Sequence, residues 1–401
     1  MSVFIGVIIG ILMLTLLVTA HEFGHFLMAR RNGVEVEEFG ICFPPRALAW
    51  RKVNGKWRRI KRSEWEKMPG EGLIISLNFL PIGGFCQMKG ESAADKRKGT
   101  FGTASFWSKT KILFGGVLAN WLVAFVVLTI LAWVGMPHFI DNQFSIESDT
   151  RVVATSRVKL EQIMDDSPAA KAEIPAGAVV DSVSADGDVS EIVRTQELLD
   201  FLDKNRGKEI KLRYEFENEM READVLLNEE GAALGAMISG SEAYRSSWSA
   251  PIVGAGTTIQ LTGETFKGLG QMVVNLFSGI AQKLSSDEAT QEAGSEKLES
   301  ARDSVSGPVG IIGVLFPAFA QSGVQNLMYL VAVISISLAC MNVLPIPALD
   351  GGRWFLIAIY KLRKKKLTKE KEEKIVGWSY LVILGIAVIV TIIDVIRLMA
   401  R

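Results

Sequence analysis

The sequence predicts a polytopic α-helical membrane protein. It has about four transmembrane helices, a cytoplasmic, membrane-associated β-hairpin or sheet, and one extracytoplasmic α+β domain. Three observations predict it. Four uncharged runs, 3–20, 112–134, 324–349 and 375–393, each hold 18 or more residues, enough to cross about 30 Å of hydrocarbon as a helix. The segments between them differ sharply in charge: 17 Lys and Arg against 8 Asp and Glu over 29–111, 16 against 30 over 137–323, and 8 against 3 over 361–374. Two of these segments are rich in β-branched and aromatic residues bounded by turn residues, the pattern of strands.

The 401 residues are neutral only in sum, with 44 basic and 44 acidic side chains. A hydrophobic content of 49% excludes a disordered chain, and the charge balance gives no sign of a nucleic-acid partner. Cys42, Cys86 and Cys340 lie far apart, without metal or disulfide spacing, and read as packing thiols.

Residues 1–30 form the first span. Met1 and Ser2 carry no basic side chain and Arg30 and Arg31 follow the apolar run, the reverse of a signal peptide's charge order. The span is therefore expected to be retained, with its N-terminus outside. The basic segments 31–110 and 361–374 are then cytoplasmic. The second span (111–136), the third (324–360) and the fourth (375–398) leave both termini and the acidic segment extracytoplasmic. Within 31–110, Val34–Phe39, Ala47–Val53, Trp57–Ile60 and Gly72–Leu80 read as short strands. The segment 245–305 reads as an amphipathic helix and a polar linker. Over 251–282, Glu264 and Lys267 interrupt the apolar pattern and leave at most 15 uncharged residues together, so an interfacial helix fits better than a fifth span. Residues 283–305, rich in Ser, Ala and Glu, read as a flexible connector.

The first span runs into His21-Glu22-Phe23-Gly24-His25. Histidines four apart share a helical face, so two imidazoles can bind one metal. Imidazole suits zinc, whose open position would hold water, and Glu22 can take that water's proton. A third ligand is required. The position six residues past His25 is Arg31, His138 falls beyond the second span, and Glu35, Glu37 and Glu38 lie past the basic pair. The best placed group is Asp350, in the stretch Asn342–Arg353 that includes Pro345 and Pro347. It is the sole acidic residue between Asp303 and Glu370. His25 precedes Arg30 by about 8 Å of helix, and Asp350 just precedes Arg353, so both sit at one depth near the cytoplasmic face. The prolines break the helix before Asp350, which membranes tolerate only where protein or water satisfies the backbone.

These residues resemble the site-2 protease family of intramembrane zinc metalloproteases, of the bacterial regulator-of-sigma-E protease type. HEFGH matches the family's HExxH, and Asn342 to Gly351 match its NxxPxxxLDG. Leu80-Pro81 with Gly83-Gly84-Phe85, Gly115–Asn120 (GGVLAN) and Ser306–Gly310 are similar to further segments in the family's order. Gly40-Ile41-Cys42 and Gly116-Val117 depart from its usual first-loop and second-span patterns. The resemblance implies one catalytic zinc held by His21, His25 and Asp350, Glu22 as general base, and Asn342 and Pro347 shaping the substrate site. It implies a multi-pass protein of the bacterial inner membrane that cleaves single-span membrane proteins, such as anti-sigma factors or remnant signal peptides, in regulated intramembrane proteolysis. A sheet edge beside the metal would pair with the unwound substrate by strand addition.

The extracytoplasmic block follows the order Val152–Met164, Ser167–Ala172, Pro175–Val180, Val183–Asp186, a helix at Thr195–Lys204, and strands at Glu209–Phe216 and Glu222–Asn228. This resembles a single PDZ domain over 150–240, with Glu173 and Ala178 departing from its usual Gly and Asp. Its expected ligand is a peptide or a substrate ectodomain. Two other functions compete. A zinc transporter needs ligands at several depths, whereas His21, Glu22, His25 and Asp350 cluster at one. A non-catalytic PDZ membrane adaptor would not require Glu22 beside two histidines. The expected partners are transmembrane substrates and the lipid bilayer.

Overall fold

The computed structural model describes residues 3–53, 55–60, 72–90, 92–140, 142–154, 157–240, 242–285, 287–303 and 307–399. The chain divides into two units, Met1–Leu128 with Gly254–Arg401, and Thr129–Val253.

The first unit opens with helix α1, Val3–Arg31, which is uncharged until Glu22. The strands β1 (Val36–Val53), β2 (Lys56–Arg59) and β3 (Ile74–Met88) follow as a sheet in the order β2-β1-β3. The expected strands at Val34–Phe39 and Ala47–Val53 are thus one long strand, and the expected Gly72–Leu80 strand extends to Met88. The chain turns without leaving the sheet: Cys42 takes a φ of 64° just before Pro44-Pro45. As a result the Ile74–Leu77 stretch of β3 pairs with both Glu38–Ile41 and Leu48–Arg51 of β1. The later half of β3 continues to Met88 because Gly83 and Gly84 let it lie on α1. A Cβ at Gly83 would come 3.0 Å from Val18, and one at Gly84 3.1 Å from Thr19 Oγ1. Inside the sheet, buried Glu38 accepts from Ser76 Oγ at 2.6 Å and pairs with Arg46.

Helix α2, Phe106–Val134, returns along α1. Gly24 and Gly115 face each other so closely that a Cβ on Gly24 would collide with the Gly115 carbonyl. Small residues allow this backbone contact between apolar helices.

The second unit holds, among its described residues, a six-stranded sheet, a small three-stranded sheet and the short helices α3 (Pro168–Lys171) and α4 (Thr195–Lys204). Two-residue β4 (Met136–Pro137) and β5 (Arg151–Ala154) form the small sheet with β12 (Glu242–Arg245). Then come β6 (Lys159–Ile163), α3 (Pro168–Lys171), β7 (Val179–Ala185), β8 (Asp188–Glu191), α4 (Thr195–Lys204), β9 (Glu209–Phe216), β10 (Glu219–Leu226), β11 (Ala236–Ser239) and β12 (Glu242–Arg245). The sheet order is β10-β9-β7-β6-β11, with β8 on β7. Pro168 opens α3, where Ser167 Oγ accepts the Ala170 N–H at 3.1 Å, a standard N-cap. Helix α4 buries Leu198 and Leu202, one turn apart, against Leu160, Val183 and Leu212. The β10 strand begins three residues earlier than expected. Glu217 and Asn218 both adopt positive φ, at 54° and 65°, and close a two-residue hairpin.

Helix α5 (Ala250–Lys283) and α6 (Glu288–Asp303) return to the first unit. The connector expected over 283–305 is therefore largely helical. Glycines make the close contact: a Cβ on Gly279 would lie 2.9 Å from the Gly294 carbonyl oxygen. Short α7 (Pro308–Gly310), a π-helical turn at Ile311–Leu315 and α8 (Phe316–Gln321) come next. Ser306 of the Ser306–Gly310 stretch lies outside the described residues. Phe316 and Pro317 of α8 seat on Gly10 and Gly6 of α1, while the Gly310 N–H donates to Asp394 at 2.8 Å. The third span expected over 324–360 is two helices, α9 (Val324–Val343) and α10 (Asp350–Leu362), because Pro345 and Pro347 prevent continuation. Helix α11, Lys369–Met399, is the last described element.

Helices α1, α2, α9 and α11 are long and apolar enough to cross a membrane. Their outward faces carry bare apolar side chains, such as Leu12, Leu16, Leu122, Val126, Leu384 and Ile392, which water would not tolerate on this scale. The protein is a polytopic membrane protein.

Candidate metal centre

Three side chains from two distant segments meet inside the first unit. His21 and His25, both buried, project from one face of α1. Asp350 opens α10 directly after the proline break. The two Nε2 atoms lie 3.1 Å apart, and Asp350 Oδ2 is 3.0 Å from that of His21 and 3.2 Å from that of His25. Among the described residues, no other three His, Cys, Asp or Glu side chains gather in this way.

Three lone-pair donors this close, two of them imidazoles, suit one cation. Ligand atoms around a tetrahedral zinc with bonds of about 2.0–2.1 Å lie about 3.3 Å from one another, so distances of 3.0–3.2 Å fit zinc.

The chain around Asp350 is folded tightly. A Cβ on Gly351 would collide with the Val343 carbonyl, and one on Gly352 with that of Ile346. Both glycines are therefore needed for the loop to wrap over the first turn of α10. The loop is also tied to α11, because the Ala348 N–H donates to Ser379 Oγ at 3.2 Å.

Glu22 is half-buried beside the two histidines, and its carboxylate accepts a hydrogen bond from the Cys86 N–H of β3. Asn342 and Pro347 lie on the stretch that leads into Asp350. Asn342 Nδ2 donates to the Leu338 carbonyl of its own helix at 2.9 Å, and half-buried Pro347 lies in the loop three residues before Asp350.

Sequence reasoning assigned no role to α2 in the site. His25 Nδ1 lies 2.8 Å from the Ile112 carbonyl, and the side-chain amide of fully buried Asn120 lies 3.4 Å from His21 Nδ1. A Cβ on Gly116 would fall 2.6 Å from both Nε2 atoms. The four-residue spacing of Ile112, Gly116 and Asn120 puts them on one helical face, but only the packing of α2 on α1 marks that face as part of the site.

A bundle of apolar helices that brings HExxH and a distant aspartate together defines a membrane-embedded metalloprotease. The sequence pattern of peptidase family M50 matches residues 9–61 and 65–386, and the chain belongs to this family. It is 28% identical over 396 residues to a protein named zinc metalloprotease in Clostridium acetobutylicum, covering 98% of each chain. It is 26% identical over 392 residues to another so named in Clostridium perfringens, covering 97% of this chain and 98% of that one. With the regulator of sigma-W protease RasP of Bacillus subtilis it shares 24% identity over 452 residues, covering 95% of this chain and 96% of the other. The protein is thus a zinc metalloendopeptidase of the membrane, and the transporter and adaptor readings give way to this one.

Proposed function

We propose that the protein cuts single-span membrane proteins inside the bilayer, close to its cytoplasmic face, once their ectodomains have been trimmed. The observation that carries this reading is the meeting of His21, His25 and Asp350 at 3.0–3.2 Å within apolar helices, with Glu22 next to them. These three residues would hold the zinc. Zinc, when bound, supplies Lewis-acid activation of the attacking water and of the scissile carbonyl. Glu22 accepts the water's proton and passes it to the departing amine. Asn342 and Pro347, in the stretch that leads into Asp350, would shape the substrate site.

A helical substrate shields its peptide bonds and must unwind to be cut, which frees backbone groups that need partners. The later half of β3 would supply them by strand addition. The Cys86 N–H directed to Glu22 supports this, because it places that strand edge beside the base. The likeness to a regulator of sigma-W favours anti-sigma factors as substrates, with remnant signal peptides as a second class. The basic segments favour a cytoplasmic position for the β1–β3 sheet, with the second unit and both termini outside. The second unit acts as a PDZ-like filter on substrate ectodomains. Its element order supports this, as does β11, an edge strand that pairs only with β6 among the described residues.

The test is cleavage of a model single-span substrate by the purified protein in detergent. Glu22→Gln should slow cleavage by about 10²–10⁴-fold, and a zinc chelator should abolish it reversibly. Equal rates for Glu22→Gln and wild type would remove Glu22 from the chemistry.

A further inference from the structure

We propose that α2 is the orienting element of the metal centre, and that Asn120 is the positioning residue that keeps His21 in its metal-binding tautomer. The inference rests on the reading of His21, His25 and Asp350 as zinc ligands.

A ring nitrogen that ligates a metal must be unprotonated, and the other nitrogen of the neutral ring then carries the proton. Both Nε2 atoms point to the shared centre, 3.1 Å apart and 3.0 and 3.2 Å from Asp350 Oδ2. Each Nδ1 must therefore carry a proton, and each ring is buried, so each Nδ1–H needs an acceptor from the protein. For His25 the acceptor is the Ile112 carbonyl at 2.8 Å. For His21 the group in place is the Asn120 side-chain amide, with Nδ2 placed 3.4 Å from Nδ1 and the buried Oδ1 left without a hydrogen-bond partner, which a flip of the amide would supply.

An asparagine amide can present either its oxygen or its nitrogen, and the surrounding network decides which. With Oδ1 toward the ring, Asn120 accepts the Nδ1 proton and leaves Nε2 free. With Nδ2 toward the ring, the proton would have to sit on Nε2 and would block a ligand position. Zinc binding selects the first arrangement. The backbone of Asn120 is itself held, because its carbonyl accepts from Ser335 Oγ of α9 at 2.8 Å.

Gly116 completes the device. It lies midway between the two acceptors, and any side chain there would enter the space of both Nε2 atoms. Along one face α2 thus offers the Ile112 carbonyl to His25, a gap at Gly116 and the Asn120 side chain to His21.

The experiment measures zinc affinity of the full-length protein in detergent by competition with a chelator, and the visible spectrum of the cobalt-substituted protein. Asn120→Leu keeps the volume and removes the acceptor. Asn120→Asp keeps an acceptor. Asn120→Leu should lose about 10–100-fold in zinc affinity and change the cobalt spectrum, whereas Asn120→Asp should stay near wild type. Wild-type affinity in Asn120→Leu overturns the proposal. So does an equal loss in both variants, which would mark Asn120 as a packing residue. His25→Ala in the same titration separates the two levels. If it keeps full zinc affinity, the metal centre itself is misassigned. If it loses zinc while Asn120→Leu does not, only the role of Asn120 fails.

Discussion

His21 and His25 are two of the chain's three histidines, and their i, i+4 spacing already commits them to one face of a helix. Distance in sequence hides everything else about the centre. Asp350 could be reached by elimination because charge is so scarce around it. Ile112, Gly116 and Asn120 could not, since an apolar residue, a glycine and an asparagine are ordinary in a span, and only the packing of α2 on α1 gives them meaning. Gly116→Ala adds one carbon where both Nε2 atoms lie 2.6 Å away. It should cost at least about tenfold in zinc affinity, as disruption of ligand-supporting residues typically does, read by chelator competition. Gly263→Ala on α5 is the control, because a Cβ there meets nothing within 4 Å. It should leave zinc affinity unchanged.

At the scale of elements, the spans were legible because a membrane demands uncharged runs of fixed length. The strands of the second unit were legible because alternation marks a half-buried strand, as in β9, where Ile210, Leu212 and Tyr214 are buried in turn. The β1–β3 sheet was less so. Pro44-Pro45 and Pro81 with Gly83-Gly84 look like breaks, yet the chain stays extended through them because α1 supports the strand. The helix α6 was missed because its polar composition resembles a linker, and its partner α5 is visible only in three dimensions. The junction of α9 and α10 yields a prediction. Gly352→Ala forces the loop off the first turn of α10, an overpacking that costs about 1–3 kcal/mol. The variant should melt at a lower temperature in detergent and lose activity, because Asp350 stands two residues earlier. In the second unit, Leu198→Ala removes a fully buried side chain at a cost of about 2–5 kcal/mol. Limited proteolysis should then cut 129–253 faster, while zinc content stays at the wild-type level.

For the whole molecule, the proposed orientation rests on segment charge. The exposed Lys364–Lys366 cluster and the acidic second unit should lie on opposite sides of the membrane. Single cysteines at Lys365 and Glu217, each in a background where Cys42, Cys86 and Cys340 are serine, test this with a membrane-impermeant thiol reagent on intact cells. Glu217→Cys should label from outside and Lys365→Cys only after permeabilisation, and the reverse pattern would invert the topology. The central claim is narrower. Two segments more than three hundred residues apart build one zinc centre, and that centre does the cutting. Its most direct test is the metal content of the purified full-length protein, with Asp350→Ala and His25→Ala beside the wild type and each sample assayed on the same single-span substrate. The wild type should hold about one zinc per chain, and each variant should lose both zinc and cleavage. Full zinc and undiminished cleavage in Asp350→Ala would contradict the account.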